Sequence, residues 1–250
     1  MRSLQVLNNQ PPEKPVQSDG AVLDVHSIFP TIQGEGPFAG RPAVFVRMAG
    51  CNIICPGCDT EYTAGRHSMS VKDIYSEVRR LGTLSLPTEG VHILPQQCLT
   101  VITGGEPFRQ PILPLISELL DLDGGVQVET NGTLCPDDFD FLMDLFDRDL
   151  SIICSPKTAS VNEAILTVAH AFKYVVEYGQ TDPDDGLPTT VLGRPNRPAR
   201  PNFYQHQVYV QPADSGDPVK NAANTEEAVR SCRKFGYTLS LQLHKILGLD

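Results

Sequence analysis

The sequence predicts an α/β fold in which parallel strands alternate with helices. Short β-type runs alternate with helical patterns along most of the 250 residues, which is typical of βα units around a parallel sheet. A chain of this length can bury one substantial core, and its composition, 40% hydrophobic and 20% charged, is that of an ordinary globular protein. Nearly every unusual polar cluster also follows directly on a predicted strand, which is where ligands bind in parallel α/β folds.

The strands are predicted from short runs rich in β-branched and aromatic residues. They lie at 43–48, 99–103, 126–129, 151–154, 172–177, 206–211 and 239–243, with a further edge strand at 23–29.

Apolar residues recur at helical spacing between these strands. Ser70 has the side chain of an N-cap and is followed by Val71, Ile74, Val78 and Leu81. Further helices are predicted at 111–122, 136–146, 162–172 and 224–235, the first two opening with Pro.

We expect a single domain at 21–250 that is preceded by a mobile tail at 1–20. The tail lacks the apolar stretch of a signal peptide, and no apolar run is long enough to span a bilayer, so a cytoplasmic location without membrane contact is expected. Residues 83–98 form a longer connection with two prolines.

A second departure from the βα rhythm is an inserted, Pro-rich surface loop near 181–206. It carries five prolines, and Arg194, Arg197 and Arg200 recur at a period of three. A polyproline II helix would place the three guanidinium groups on one face. The loop is either a solvated connection or a docking strip for an acidic partner. We expect neither this loop nor the tail to touch the motifs described below.

Charge and cysteine content narrow the function classes. The net charge of −10 argues against direct nucleic-acid binding, which relies on clustered Lys and Arg. Four of the seven cysteines are scattered and are expected to be small buried hydrophobes. They are Cys98, Cys135, Cys154 and Cys232.

The other three, Cys51, Cys55 and Cys58, share one loop after a predicted strand. Zinc would need a fourth ligand, and the nearest candidate, His67, fits no common spacing. Inert core cysteines would not sit beside so many polar and turn-forming residues. The third alternative is an iron–sulfur cluster, for which thiolates are the usual ligands.

Other strand ends carry clusters that should meet these cysteines in one pocket, because the carboxyl ends of parallel strands share one edge. The clusters are Gly104-Gly105-Glu106, Glu129 with Thr130-Asn131-Gly132, Ser155-Pro156-Lys157, Gln211-Pro212 and His244-Lys245.

The spacing Cys-x3-Cys-x2-Cys resembles the motif of the radical S-adenosylmethionine (SAM) superfamily, and "TGGEP" resembles its GGE stretch, which meets the SAM amino group. The resemblance implies a [4Fe-4S] cluster in which one iron, left without a protein ligand, binds SAM. One electron from the reduced cluster then splits SAM and gives a radical that abstracts hydrogen.

The stretch "FPTIQGEGPFAGRPAVFVRMAGC", together with "CDT", "TGGEP", "ETNG", "SPK", "QP" and "HK", resembles the 7-carboxy-7-deazaguanine synthase family over most of 24–250. The resemblance implies an abbreviated α/β barrel, an incomplete TIM-like barrel of about six parallel strands with peripheral helices. It also implies a carbon–nitrogen lyase that converts 6-carboxy-5,6,7,8-tetrahydropterin to 7-carboxy-7-deazaguanine with loss of ammonia, on the way to queuosine and related 7-deazapurines. Mg²⁺, a homodimer and an electron donor such as flavodoxin or ferredoxin are implied as well. The alternative is a radical SAM activase that forms a glycyl radical on a partner protein.

The resemblance assigns roles position by position, with Glu35, Arg47 and Glu106 as the catalytic residues. Arg47 is expected to hold the substrate carboxylate, since a forked guanidinium suits that group. Substrate contacts are Ile32, Gln33, Gly34, Glu35, Arg47, Thr103 and His244. SAM contacts are Gly57, Cys58, Asp59, Gly104, Gly105, Glu106, Ser155, Pro156, Lys157, Gln211, Pro212, Ala213 and Asp214. Metal ligands are Cys51, Cys55 and Cys58 for the cluster and Thr60 for Mg²⁺.

The sequence departs from the family pattern at one site position. Family members often carry an aromatic residue, commonly Trp, just before the third cysteine, whereas this chain has Gly57 there and no Trp at all.

Overall fold

The computed structural model describes residues 11–84, 98–203 and 205–249. Most of the predicted connection at 83–98 lies outside these residues. The described chain forms a sheet with the strand order β3-β1-β2-β4-β5-β6-β7-β8-β9. The strands are β1 Val22–Ile32, β2 Pro42–Met48, β3 His67–Ser70, β4 Leu99–Gly104, β5 Val126–Thr130, β6 Leu150–Cys154, β7 Ala171–Val176, β8 Gln207–Pro212 and β9 Thr238–Leu239.

Helices connect the strands, with short 3-10 turns between some of them. The helices are α1 Val71–Leu84, α2 Leu113–Leu119, α3 Phe139–Phe146, α4 Glu163–Val168, α5 Pro218–Phe235 and α6 Leu243–Leu247.

The sheet is parallel from β2 through β4 to β9, and β1 adds an antiparallel edge that also pairs with β3. The strand order is linear, with β3 and β9 at its two edges, so the sheet does not close. The predicted fold class, an incomplete barrel of parallel strands with peripheral helices, is confirmed.

Local sequence signals place the helix ends. Ser70 Oγ accepts the Asp73 N–H at 3.2 Å, which confirms the predicted N-cap. Helix α5 begins earlier than predicted, at Pro218, because the Asp217 carboxylate accepts the N–H groups of Val219 and Lys220. An Asp before a Pro is the combination that starts a helix, so residues 218–223 belong to it.

The core lies between the sheet and the helices. Ile74 of α1 and Ile116 of α2 are fully buried and pack in one cluster with Ile102 and Val46 of the sheet. Truncating such a residue to Ala costs about 2–5 kcal/mol. The helices therefore hold the sheet in place through its face, and the carboxyl ends of the strands remain available for a binding site.

Two predicted elements are shorter in the structure. Helix α4 ends at Val168 because the His170 N–H already donates to Ile152 O in the sheet. The strand predicted at 239–243 ends at Leu239, and helix α6 begins at Leu243.

The expectation that the tail does not touch the motifs is wrong for residues 11–20, while residues 1–10 lie outside the described part of the chain. The Glu13 N–H donates to Cys51 O at 2.9 Å, and the Val16 N–H donates to Arg109 O at 2.7 Å. The Glu13 carboxylate also pairs with Arg66 and Arg109. The tail thus packs against the cysteine loop.

The expectation that the inserted loop stays away from the motifs is also wrong. Arg194 Nη1 donates to Ile54 O at 2.6 Å, within the cysteine loop. Arg197 and Arg200 pair with Asp185 of the same insertion. Acidic residues inside the loop therefore satisfy two of the arginines, and the three do not form a free basic strip.

Among the described helices, none is both long and apolar enough to cross a membrane.

Candidate active site

A cavity lies at the carboxyl ends of the parallel strands, as the positions of the polar clusters predicted. Its lining includes Arg47 from β2, Thr103 from β4, Glu129 from β5, Lys173 from β7 and Gln211 from β8. These side chains come from five strands of one sheet and converge because parallel strands end at the same edge.

The three clustered cysteines line this cavity on the loop that follows β2. The loop is tightened by the Cys58 N–H, which donates to Cys55 O at 3.0 Å. Burial raises the pKa of all three thiols, that of Cys51 to about 12. Without a bound cation the thiols are therefore protonated at neutral pH, and metal binding must release their protons.

The donor set fits an iron–sulfur cluster. Thiolates are the usual ligands of such clusters and bind separate iron atoms. Among the described residues, no three His, Cys, Asp or Glu side chains are placed to share one metal ion. His67, the predicted fourth zinc ligand, lies in edge strand β3 and does not line the cavity. The scattered cysteines lie elsewhere: Cys98 and Cys154 are buried, and Cys135 and Cys232 pack partly buried against the core.

The GGE stretch brings the backbone of β4 against the cysteine loop. The Gly105 N–H donates to Met48 O, and the Glu106 N–H donates to Gly50 O at 3.0 Å. A Cβ atom at Gly105 would lie 1.9 Å from Gly50 O, so only glycine permits this approach. Gly104 and Gly105 both line the cavity beside the cysteines.

Glu106 differs from its expected position. Its side chain is fully buried and is not part of the described cavity lining. The carboxylate accepts the N–H groups of Phe108 and Asn131 and the hydroxyl of Thr130. It therefore ties the end of β4 to the end of β5, and Asn131 lines the cavity in its place.

Lys173 is the centre of a charge network that sequence reasoning did not single out. Its ammonium group donates to the Glu35 carboxylate and lies 3.8 Å from Glu129. Burial alone would lower the pKa of Lys173, but the charges of Glu129 and Glu35 outweigh it and raise that pKa. Burial would conversely raise the pKa of Glu35, and Lys173 together with a hydrogen bond from Gln242 lowers it. The available signal was a lysine inside an otherwise apolar strand.

The two carboxylates are also held by amides and a hydroxyl. Glu129 accepts hydrogen bonds from Gln33, Gln127 and Thr103. Glu35 accepts from Gln211 at 3.2 Å and from Gln242 at 2.9 Å. Both carboxylates line the cavity. Because these hydrogen bonds hold them, their orientation is set before any ligand binds.

Helix α6 also contributes to the lining of the cavity. The Leu243 N–H donates to Gly34 O, and Lys245 Nζ bridges Asp59 at 3.2 Å and Asp214 at 2.9 Å. The chain leaves β9 early to make these contacts, which is why the predicted strand is short. His244 and Lys245 therefore reach the cavity from a helix and not from a strand end.

The Asp214 carboxylate gives a pH-dependent contribution to stability. Its pKa is held at about 2 by the Gly216 N–H and by hydrogen bonds from Lys245 and Asn221. Because this value lies below the unfolded value of about 3.9, the stabilisation is present above pH ~4 and is lost as the pH falls towards 2. We expect Asp214→Asn to lower the free energy of unfolding by about 1 kcal/mol at pH 7, discounted for partial exposure.

Urea unfolding at pH 7, 4 and 3 checks this prediction, with Asp184→Asn, an exposed aspartate of the insertion, as the control. The prediction would be contradicted if the free energies of unfolding of Asp214→Asn and the natural protein differed by the same amount at all three pH values.

Two buried polar atoms in the cavity wall lack a partner within the described structure. They are Arg47 Nε and Gln211 Oε1. Arg47 also has no ion pair among the described residues, and its guanidinium lies 5.1 Å from the centroid of the Phe29 ring. A cation and an amide acceptor of this kind are suited to a ligand that brings a carboxylate and hydrogen-bond donors.

Most residues predicted for the site line the cavity. They are Gln33, Glu35, Arg47, Cys51, Cys55, Gly57, Cys58, Asp59, Thr60, Thr103, Gly104, Gly105, Ser155, Lys157, Gln211, Ala213, Asp214 and His244. Predicted residues outside the described lining are Ile32, Gly34, Glu106, Pro156 and Pro212. Lining residues that sequence reasoning missed include Tyr62, Lys173, Leu192 and Gln242.

Comparison with known proteins gives a consistent result, although no model of a known protein family matches the chain. The 7-carboxy-7-deazaguanine synthase of Rhodospirillum rubrum is 38% identical and aligns with 98% of this chain and 100% of its own length. That of Rickettsia prowazekii is 34% identical and aligns with 100% of this chain and 98% of its own length.

Among solved structures, QueE from Escherichia coli superposes with a TM-score of 0.60. It covers 88% of this chain and 94% of its own, at 22% sequence identity. A likeness at this identity concerns the fold, and it agrees with the open, mostly parallel sheet described above.

Proposed function

Because the chain belongs to the 7-carboxy-7-deazaguanine synthase family of radical SAM lyases, we propose that it converts 6-carboxy-5,6,7,8-tetrahydropterin to 7-carboxy-7-deazaguanine with loss of ammonia. The reaction belongs to 7-deazapurine biosynthesis. The observation that carries the proposal is Arg47, a cation without an ion pair in the described structure, in the same cavity as the three cysteines. The relatives found give no support to the activase alternative.

The cluster and SAM, when bound, supply the one-electron chemistry of the superfamily. In this proposal Cys51, Cys55 and Cys58 hold the cluster. The cavity-lining residues that would border the SAM site are Gly104, Gly105, Asn131, Ser155 and Lys157. The unpartnered Gln211 Oε1 is available to accept a hydrogen bond from SAM.

Glu106 acts as a positioning residue in this proposal. Its three hydrogen bonds leave its carboxylate engaged within the chain and hold the Asn131 N–H in place. The contact with the SAM amino group expected of Glu106 itself is then made by the backbone of the GGE stretch and by neighbouring side chains.

The pterin lies across the Glu35 and Glu129 carboxylates with its own carboxylate on Arg47. The aminopyrimidine edge carries N–H donors, and ionised carboxylates accept them strongly. Lys173 lowers the pKa of Glu35 and so keeps that acceptor ionised, and Gln33 and Thr103 fix the orientation of Glu129.

Mg²⁺ would be held at the Thr60 hydroxyl. Thr60 lines the cavity and its Oγ1 lies 3.3 Å from Asp59 Oδ1. A hard cation that keeps several waters needs only such a small set of oxygen ligands. We further propose a homodimer, an electron donor such as flavodoxin or ferredoxin, and a cytoplasmic location, where reduced thiols persist for cluster assembly.

An anaerobic assay with the carboxytetrahydropterin, SAM and a reductant tests the function. We expect 7-carboxy-7-deazaguanine and ammonia in equal amounts, detected by mass spectrometry and an ammonia assay. SAM cleavage without deazaguanine, under conditions where the cluster is intact, would contradict the proposal.

Arg47→Ala should weaken pterin binding while leaving basal SAM cleavage measurable. The substrate carboxylate would lose its buried partner, a loss of about 2–4 kcal/mol or roughly 30- to 700-fold in the dissociation constant. Equilibrium binding of the pterin and SAM cleavage without pterin are measured together. Arg80→Ala, which removes an exposed arginine of α1, is the control. Equal losses of pterin binding and basal SAM cleavage in Arg47→Ala would contradict the assigned role.

A further inference from the structure

We propose that the turn at 191–194 of the inserted segment clamps the cysteine loop and supplies one wall of the cofactor cavity. Arg194 is then a positioning residue for the cluster ligands, and Leu192 is a cavity-wall residue. The clamp stands on the contacts of the chain alone, whereas the wall role rests on the proposed function.

Two hydrogen bonds join the turn to the cysteine loop. The Gly57 N–H donates to Leu192 O at 2.9 Å, and Arg194 Nη1 donates to Ile54 O at 2.6 Å. Ile54 precedes Cys55 and Gly57 precedes Cys58, so the turn holds the backbone beside two of the three cysteines.

The two backbones approach closely. A Cβ atom at Gly57 would lie 3.2 Å from the carbonyl carbon of Leu192 and 3.3 Å from its oxygen. On the other side, a Cβ atom at Gly193 would lie 3.2 Å from Pro56 Cβ. The turn therefore occupies the space into which a larger residue at position 57 would project. The insertion fills the space that the missing side chain of Gly57 leaves.

The turn adopts an unfavourable backbone conformation to reach this position. Val191 and Arg194 pair through both backbone hydrogen bonds, so Leu192 and Gly193 form a two-residue hairpin turn. Both have positive φ, +45° for Leu192 and +78° for Gly193. Such turns favour Asn or Gly at the first position, and a strained residue at a ligand site points to a functional constraint. Leu192 is indeed part of the cavity lining.

The rest of the insertion supports the turn on the body of the protein. Asp185 accepts hydrogen bonds from Arg197 and Arg200, and its carbonyl accepts the Tyr237 hydroxyl at 2.7 Å. The Tyr174 hydroxyl of β7 donates to Ala199 O at 2.6 Å. The turn is thus presented by an anchored segment, as a clamp requires.

Hydrogen exchange of the metal-free protein tests the clamp independently of any activity. We expect Arg194→Ala to raise the exchange rate of the peptide that contains the Gly57 amide about threefold or more, because local opening frees that amide. Arg197→Ala, which removes an arginine of the same insertion that pairs with Asp182 and Asp185, should leave that rate unchanged. No change in Arg194→Ala, or an equal change in both variants, would overturn the clamp.

The variant Leu192→Gly tests the wall role apart from the clamp role. It removes the side chain that lines the cavity but keeps the turn, because Gly accepts positive φ. The exchange of the Gly57 peptide should stay within about twofold of the natural protein. In the anaerobically reconstituted protein, however, the cluster absorbance should decay about threefold or more faster on exposure to air. Unchanged decay would overturn the wall role. If no cluster forms in the natural protein, the proposed function fails while the exchange result for the clamp stands.

Discussion

Replacement of any one of Cys51, Cys55 or Cys58 by Ala should abolish turnover and SAM cleavage. The three cysteines lie on one loop and line one cavity. Because each thiolate is expected to bind one iron of the cluster, the loss of one leaves only two ligands, which do not hold the cluster stably. Iron and sulfide content, the visible absorption of the cluster and turnover are measured after anaerobic reconstitution.

Cys232→Ala is the matched control, because that thiol packs against the core away from the cavity. It should retain iron content and turnover near those of the natural protein. A variant of the cysteine loop that kept both its iron and its turnover would contradict the assignment of that cysteine as a ligand.

The second large effect is expected for Lys173→Met. The change removes the cation between two carboxylates in a site where the Lys173 side chain is only 9% exposed. Breaking a buried ion pair by removing one partner costs about 3–5 kcal/mol, because a charge is left buried without compensation. The free energy of unfolding of the metal-free protein, measured in urea at pH 7, should fall by that amount.

The pH dependence of this loss follows from the direction of the pKa shifts. Lys173 lowers the pKa of Glu35 below its ordinary value, so the stabilisation is present above pH ~4.3 and is lost as the pH falls through the folded value. At the alkaline end it persists up to the ordinary lysine value of about 10.4 and is lost as the pH passes the raised pKa of Lys173. The difference in the free energy of unfolding between Lys173→Met and the natural protein should therefore become smaller in acid.

Two further variants separate charge from packing. Lys173→Arg keeps the charge and should lose less stability than Lys173→Met. Adding Glu35→Gln to Lys173→Met removes one of the stranded carboxylates and should restore part of the stability. A Lys173→Met protein as stable as the natural one, or no recovery in the double variant, would contradict the network.

Much of the site could be predicted from the sequence because its motifs are contiguous and end on strands. The cysteine loop follows β2, the GGE stretch follows β4 and Ser155 follows β6, and parallel strands bring such ends together. The fold class was predicted from the same alternation of strands and helices. These features depend on short-range sequence order alone.

The features that were missed depend on contacts between distant residues. Lys173 lies within an apolar strand, and its role becomes visible only when Glu35, 138 residues away, is placed beside it. The same holds for Arg194 and Ile54, which are 140 residues apart, and for Glu13 against the cysteine loop. A Pro-rich loop carries no periodic pattern that would indicate what it packs against.

The electron paramagnetic resonance spectrum of the anaerobically reconstituted, reduced protein tests the central claim most directly, namely that three thiols in this cavity hold a cluster with one iron open to SAM. We predict a four-iron signal whose g-values change on addition of saturating SAM and do not change on addition of adenosine, which lacks the amino and carboxylate groups of SAM. A cluster spectrum that is the same with and without SAM would contradict the claim.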